Sequence, residues 1–309
     1  MKNFLSLKDL TAGEINALVK LAYSIKKRPG DYKGRLKGKS VGLLFQKPSL
    51  RTKTAFCLGG QQLGADVIYY SPDEVKLGQR EKISDVAKTL SAYMNIVVLR
   101  TFSHQIIEEF AGSFKGAVVN GLSDLLHPSQ IVGDLLTLFE LNKNIKKIKC
   151  VYLGDGNNVC HSLLYAFSIL GGNVFIATPL GFEPDREVVR TCYSIAKKSK
   201  ARICIGNNPL EAVSGADVIY TDVWISMGKE DETKMRKKVF KRFMVNDKIL
   251  TFAKNNYIVM HCLPAHRGEE ISDSVLDSAN SKVFIQAANR LHSAKAILLY
   301  TQGERLCRK

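Results

Sequence analysis

The chain has 309 residues, enough for about two domains and for a large core without disulfide or metal staples. Hydrophobic residues make up 45% and charged residues 24%, which excludes the disordered, collagen-like and coiled-coil classes. No apolar run reaches the roughly 18 residues of a membrane helix, and the opening MKNFLSLKDL lacks the parts of a secretory leader. Lys and Arg number 45 against 29 Asp and Glu, a net charge of +16 that attracts anions: nucleic acid, acidic surfaces or phosphorylated metabolites. The surplus is spread over KKRPGDYKGRLKGK, NKNIKKIK, AKKSKAR and MRKKVFKR without the interleaved aromatics of a single-strand groove, so it reads as solvated faces. Seven cysteines (57, 150, 160, 192, 204, 262 and 307) with no CxxC predict reduced thiols, no disulfide framework, no zinc site and a cytoplasmic protein.

In chain order, Thr11 and Glu14 form a capping-box pattern that opens a helix with Ile15, Leu18, Val19, Ala22 and Ile25 on one face. Pro29 and Gly30 stop it. Strands are predicted at 41–45, 66–70, 95–100 and 117–120, and helices at 52–64, 82–93, 103–112 and 128–141. The basic segment 142–149 reads as a connection between domains. Strands then follow at 149–154, 173–177, 202–205, 217–221, 257–261 and 282–286. Helices are predicted at 158–170, 185–198, 230–242 and 246–255, with a last one near 289–302. Near-continuous apolar strands alternating with helices of 10 to 15 residues predict α/β architecture: two doubly wound parallel-sheet domains. Ligands in such folds bind beyond the carboxyl ends of the strands, so the segments there are the candidates for chemistry.

PSLRTKT (48–54) puts hydroxyls and Arg51 at a helix start right after a strand, where outward N–H groups favour an anion and Arg grips phosphate through two parallel bonds. A capped helix with a surface Arg fits it equally well. HPSQ (127–130) places an imidazole and an amide at another helix start, suited to an oxygen that gains charge; a lone His is more often structural. GDGNNV (154–159) lacks the third glycine of a dinucleotide-binding turn, and no ribose-binding acid ends the next strand, so it presents Asn157 and Asn158 at a helix start instead. DVWISMG (222–228) offers Asp222 for a cation and the Ser226–Met227 amides for a carboxylate, a clamp for an amino acid, or simply a loop anchored by Trp224. HCLPAHRGEEI (261–271) sets Cys262 at a strand end. A thiol near basic groups there would be activated, whereas a buried one would be inert.

Taken together and in order, these segments resemble the aspartate/ornithine carbamoyltransferase family over about residues 4–302. PSLRT is similar to its Ser-x-Arg-Thr phosphate motif, VLRTF carries its carbonyl-binding Arg, and HPSQ is similar to its His-Pro-x-Gln. GDGNN, DVWISMG and HCLPAHRGEE resemble the ornithine branch, and AANRLH carries an Arg before the final helix. The resemblance implies a carbamoyl-phosphate-binding domain over 1–145, with a C-terminal helix (289–309) packing back on it. It implies an ornithine-binding domain over 146–288, with the active-site cleft between the two. Carbamoyl phosphate would be held by Ser49, Leu50, Arg51, Thr52, Lys76, Arg100, His127, Gln130, Cys262, Leu263 and Arg290. Ornithine would be held by Asn158, Asp222, Ser226 and Met227. Arg100, His127 and Cys262 would be the catalytic group. The implied reaction moves the carbamoyl group to the side-chain amine of L-ornithine, giving L-citrulline and phosphate, with no metal and no cofactor. The implied setting is cytoplasmic arginine biosynthesis by a homotrimer or an assembly of trimers, with no membrane and no specific nucleic acid.

Three positions depart from the family pattern: Leu50 stands where many members have Thr, Gln46 where Glu is frequent, and Ser129 where Cys is frequent. A carbamoyltransferase fold that has lost activity is opposed by the intact Arg51, Arg100, His127 and Arg290, and three further rival readings are weighed. Aspartate as acceptor would need basic ligands in place of Ser-Met-Gly and the HCLP Cys. Putrescine as acceptor has no α-carboxylate for the clamp. A nucleic-acid-binding protein would need one contiguous basic face and strong salt dependence.

Overall fold

The computed structural model describes residues 1–225 and 233–303. It falls into two compact units, residues 1–136 with 288–309 and residues 137–287; of the first, residues 304–309 lie outside the described set.

The first unit is built on strands β1 (Ser40–Phe45), β2 (Asp66–Tyr70), β3 (Ile96–Arg100) and β4 (Ala117–Leu122), all parallel in the order β2-β1-β3-β4. Helix α1 (Ala12–Lys27) starts at the capping box that Thr11 and Glu14 predict: the Thr11 side chain accepts from the Glu14 N–H, and Glu14 reaches back to the Thr11 N–H. Its buried face is Ile15, Leu18, Val19, Leu21, Ala22 and Ile25. Helix α2 (Arg51–Gln62) follows β1, the short α3 (Pro72–Val75) and α4 (Ile83–Leu90) follow β2, and α5 (His104–Ser113) follows β3. Leu44, Val97, Leu99 and Val118 pack with Ala87, Ile107, Phe110 and Phe114 to form a core, each side chain larger than Ala87 contributing about 1.5–3 kcal/mol relative to exposure. Helix α6 (Pro128–Glu140) leaves this unit near its middle.

The second unit carries β5 (Lys149–Leu153), β6 (Asn173–Ala177), β7 (Arg202–Gly206), β8 (Val218–Thr221) and β9 (Ile258–His261), again all parallel, in the order β7-β6-β5-β8-β9. Helices α7 (Asn158–Leu170), α8 (Arg186–Ser199) and the short α9 (Pro209–Val213) connect the first four strands. Helices α10 (Thr233–Phe240), α11 (Asp247–Leu250) and α12 (Asp273–Leu276) flank β9, and α13 (Val283–Thr301) runs from this unit into the first. From Ala288 onward α13 belongs to the first unit. There Lys26 Nζ donates to Asn289 Oδ1 at 2.8 Å, and Phe4 stacks edge-on against Tyr300.

Two predicted elements differ. KVFIQ (282–286) is the start of α13 and not a strand; it meets β9 through a bridge between Val259 and Ser281, the Lys282 N–H on the Val259 carbonyl and the His261 N–H on Gln286 Oε1. Val283 and Gln286 are buried while Phe284 and Ile285 are exposed, a three-residue spacing that belongs to a helix; a five-residue apolar run does not reveal which period it will adopt. The helix predicted at 246–255 closes after Leu250 and continues as turns. Part of the helix predicted at 230–242 lies outside the described residues; the remainder is α10 followed by a 3-10 turn at Lys241–Phe243.

Each sheet reverses its strand order once. In the first sheet the chain goes outward from β1 to β2 and then returns to β3 on the other side of β1. In the second it goes outward through β5, β6 and β7 and returns to β8 beside β5. Helices leaving such a pair of strands diverge to opposite faces and open a crevice at the carboxyl ends. The four strand ends concerned are Phe45, Arg100, Leu153 and Thr221, and the segments that follow them include PSLRT, GDGNN and Asp222.

Candidate active site

In the first unit the crevice is cationic. After β1, Ser49 Oγ accepts from the Thr52 N–H at 3.2 Å in the first turn of α2, with Leu50 just before the helix in right-handed helical conformation and its side chain 75% exposed. Thr52 is buried beneath, and Arg290 of α13 donates to Thr52 Oγ1 at 2.6 Å. Arg100 ends β3 and is buried. Beside it β4 bulges: Leu99 faces Asn120 but Arg100 faces Leu122, so Gly121 is the extra residue. A side chain at Gly121 would meet the Leu99 carbonyl at 3.0 Å and Thr52 at 3.5 Å, which keeps this position a glycine.

His127 sits just before α6 and is buried. Burial, and then the charges of Arg290, Arg100 and Arg51, hold its pKa well below the ordinary imidazole value. His127 is therefore neutral at pH 7, a hydrogen-bond donor among three guanidinium groups. Gln130, one turn into α6, is fully buried and donates through Nε2 to Asp134 Oδ1 at 2.8 Å. The sequence expectations Ser49, Leu50, Arg51, Thr52, Arg100, His127, Gln130 and Arg290 thus lie in one unit, and the electrostatics of His127 bring the three arginines together. Lys76 is exposed, in left-handed conformation at the end of α3. Next to it, the Leu77 carbonyl accepts from Gln46 Nε2 at 3.0 Å, while Gln46 Oε1 accepts from the Phe102 N–H. Gln46 therefore links three loops of this crevice, a role its sequence position did not signal.

In the second unit the crevice is acidic and centred on Asp222, buried just beyond β8. Cys262 Sγ donates to Asp222 Oδ1 at 2.8 Å, the Val223 N–H donates to the same oxygen at 2.8 Å, and Asn157 Nδ2 donates to Oδ2 at 2.7 Å. Asn157 also caps α7 through its Oδ1, which accepts from the Val159 and Cys160 N–H groups. Asn158, the expected ligand, is the first residue of α7 and half-buried. The grip of Asn157 on Asp222 is what sequence reasoning missed. A side-chain amide before a helix is an N-cap signal, and its second hand, on Asp222, comes from 65 residues away. Gly156 has no room for a side chain, since a Cβ there would come within 2.3 Å of the Pro184 nitrogen. Ser226 and Met227 lie outside the described residues.

Cys262 is buried, and its thiol donates to a carboxylate. His261 behind it is fully buried: its Nδ1 accepts from the Leu263 N–H at 2.9 Å and its Nε2 lies 3.1 Å from Glu270 Oε1, which fixes the hydrogen on Nε2. Leu263 is held with φ at 57°, a left-handed strain that the imidazole bond offsets. Ligand atoms of Asp222, His261 and Cys262 lie within 4.8 Å of one another, but a cation could take His261 only by opening one of its two bonds. Of the other thiols, burial pushes Cys192 up to about 12 and Cys160 well above the ordinary value, as inert core sulfur.

Comparison with known proteins decides the family. The carbamoyl-phosphate-binding domain of aspartate/ornithine carbamoyltransferases matches residues 2–140, and the aspartate/ornithine-binding domain matches residues 146–301. This chain belongs to the aspartate/ornithine carbamoyltransferase family. It is 42% identical to an ornithine carbamoyltransferase from Pyrococcus horikoshii over 304 residues, covering 98% of this chain and 96% of that one. The solved ornithine carbamoyltransferase from Pyrococcus furiosus superposes with a TM-score of 0.95 at 42% identity, covering 98% of both chains. The solved anabolic ornithine carbamoyltransferase from Campylobacter jejuni superposes at 0.94 with 37% identity, covering 99% of this chain and all of that one. The two-sheet α/β architecture is the fold of these family members. No helix among the described residues is long and apolar enough to cross a membrane.

Proposed function

We propose that this chain transfers the carbamoyl group of carbamoyl phosphate to the side-chain amine of L-ornithine, giving L-citrulline and phosphate. The observation that carries the reading is a buried His127 beside Arg51, Arg100 and Arg290, with Arg290 bonded to Thr52 at the start of α2. That set suits a dianionic phosphate joined to a carbonyl. Phosphate sits on the start of α2, taking the Leu50 and neighbouring N–H groups, the hydroxyls of Ser49 and Thr52, and the fork of Arg51. Arg290 and Lys76 add positive charge. Arg100, His127 and the Thr52 hydroxyl surround the carbonyl oxygen, where negative charge grows as the tetrahedral intermediate forms. Each such donor is worth about 2.7–4 kcal/mol of barrier. Gln130 accepts from the carbamoyl NH2.

Ornithine is read by Asp222 and Asn158, with Ser226 and Met227 for the α-carboxylate, and Cys262 orients it from beside Asp222. The attacking amine has an ordinary pKa of about 10.4, so holding it neutral at pH 7 costs about 4.6 kcal/mol. The leaving phosphate is the natural acceptor of its proton: the C–N bond forms, the C–O bond to phosphate breaks, and the proton leaves with phosphate. Asp222 with its Cys262 and Asn157 bonds suits an ammonium group, the α-carboxylate partners are what would separate an amino acid from a diamine, and the full-length likeness to ornithine carbamoyltransferases supports ornithine as acceptor. The anabolic name of the Campylobacter relative supports the biosynthetic direction, toward arginine. A homotrimer in the cytoplasm completes the proposal.

The test is a citrulline-type assay with carbamoyl phosphate and a panel of ornithine, putrescine, acetylornithine and aspartate. Ornithine should be carbamoylated far faster than the others. Putrescine used as well as ornithine, or aspartate used at all efficiently, would overturn the acceptor.

A further inference from the structure

Helix α6 carries a polar pair whose second member has no place in the reaction as described. Gln130 and Asp134 are one helical turn apart on the same face and both are essentially unexposed. Gln130 Nε2 donates to Asp134 Oδ1 at 2.8 Å, whereas Gln130 Oε1 is buried with no hydrogen-bond partner among the described residues. A buried amide oxygen left unpaired costs free energy unless something outside the chain fills it. The surroundings say what that is. His127 directly precedes this helix, and at Gly133, between Gln130 and Asp134, a side chain would meet Arg290 Cγ at 3.7 Å and Ser293 Oγ at 3.4 Å. The helix therefore lies against the α13 segment that supplies the anion-binding Arg290.

We propose that Asp134 is a positioning residue that sets the specificity for the group being transferred: it locks the Gln130 amide with nitrogen toward itself and oxygen toward the substrate, so the site selects an NH2 over a CH3 on the reacting carbonyl. This rests on the carbamoyl-phosphate reading of the first unit. The two ends of a glutamine amide are nearly the same shape, so an unlocked amide can present either one. A carboxylate only accepts hydrogen bonds, and it forces the donor end toward itself. An asparagine at 134 can donate or accept, and the lock is gone.

The experiment measures binding by calorimetry on the full chain with two stable analogues, phosphonoacetamide and acetonylphosphonate, which differ only in NH2 against CH3. Wild type should prefer the amide. Asp134→Asn should lose about tenfold of that preference, the worth of one buried hydrogen bond, while keeping most of its affinity for the methyl ketone. The exchanged pair Gln130→Glu with Asp134→Asn conserves volume and net charge. In that double variant the amide introduced at position 134 can donate to one oxygen of the carboxylate introduced at position 130. The other carboxylate oxygen is left to accept from substrate, so the preference should return. An unchanged preference in Asp134→Asn, or equal weakening of both analogues, makes Asp134 a structural residue and overturns the inference. If Asp134→Asn alone does not fold, the exchanged pair decides: preference retained supports the lock, and preference absent rejects it. Wild type that makes citrulline yet binds both analogues alike sinks this inference and leaves the proposed function standing. Wild type that makes no citrulline sinks the proposed function itself.

Discussion

His127 shows how one residue can carry both chemistry and a stability signature. Its imidazole is buried, and desolvation and three arginines hold its pKa well below the ordinary value near 6.5. The unfolded chain takes up a proton on this ring as pH falls through about 6.5, and the folded chain does not. Stability is therefore fully present above that pH and is lost below it, by up to about 1.36 kcal/mol per pH unit for each such group. His104, whose pKa burial also lowers, adds with the same sign. Urea midpoints measured from pH 7.5 to 5 should fall, and His127→Gln should flatten the slope by its share; an unaltered slope in that variant would place the effect elsewhere. Asp222 offers a second test at this scale. Asp222→Asn keeps shape and removes the charge opposite an α-ammonium, worth about 1.5–3 kcal/mol. A fall of roughly 10- to 100-fold in kcat/KM for ornithine should follow, with carbamoyl-phosphate binding nearly unchanged. Wild type should discriminate against putrescine by about 10⁴ or more, since without the carboxylate the site's polar groups go unpaired. Equal damage to both substrates together with loosened carbamoyl phosphate would make Asp222 structural.

Among the elements, α10 packs through buried Phe240 against Phe182 and Trp224, and is tied down by one buried guanidinium. Arg236 Nη1 donates to Asp155 Oδ2 at 3.0 Å and to the Trp224 carbonyl at 2.9 Å, and its plane lies 4.7 Å from the Phe182 ring. This ties α10 to the turn after β5 and to the strand end that bears Asp222. Both charged partners are almost fully buried, so breaking the pair by removing one costs about 3–5 kcal/mol. Arg236→Met should lower the melting temperature by roughly 10 °C in a unit this size, and Asp155→Asn with Arg236→Met should recover much of the loss. Additive losses in the double variant would mean the two residues do not act as a pair. The tie is invisible in sequence because its partners are 81 residues apart. The capping box of α1, by contrast, was legible because both members lie within one turn.

For the whole molecule, the +16 charge is the property that a nucleic-acid reading would claim. Its cationic runs belong to several separate elements, including the last turns of α1, α8 and α10. Binding to DNA or RNA should be weak, indifferent to sequence and lost between about 50 and 200 mM salt; tight binding to one sequence that survives salt would revive the rival. By itself the sequence determined the alternation of strands and helices, the caps of α1 and, to within two residues, where β1 to β9 end. Those follow from side-chain period and backbone preference among covalent neighbours. Only the tertiary structure decided that PSLRT and Arg100 flank one strand-order reversal and GDGNN and Asp222 the other. It also decided that KVFIQ starts a helix, that Asn157 and Cys262 grip Asp222, and that Arg290 reaches Thr52 across 238 residues. Strand order and hydrogen-bond partners are chosen by contacts between distant parts of the chain, whose free energy exists only once the sheets have formed and excluded water.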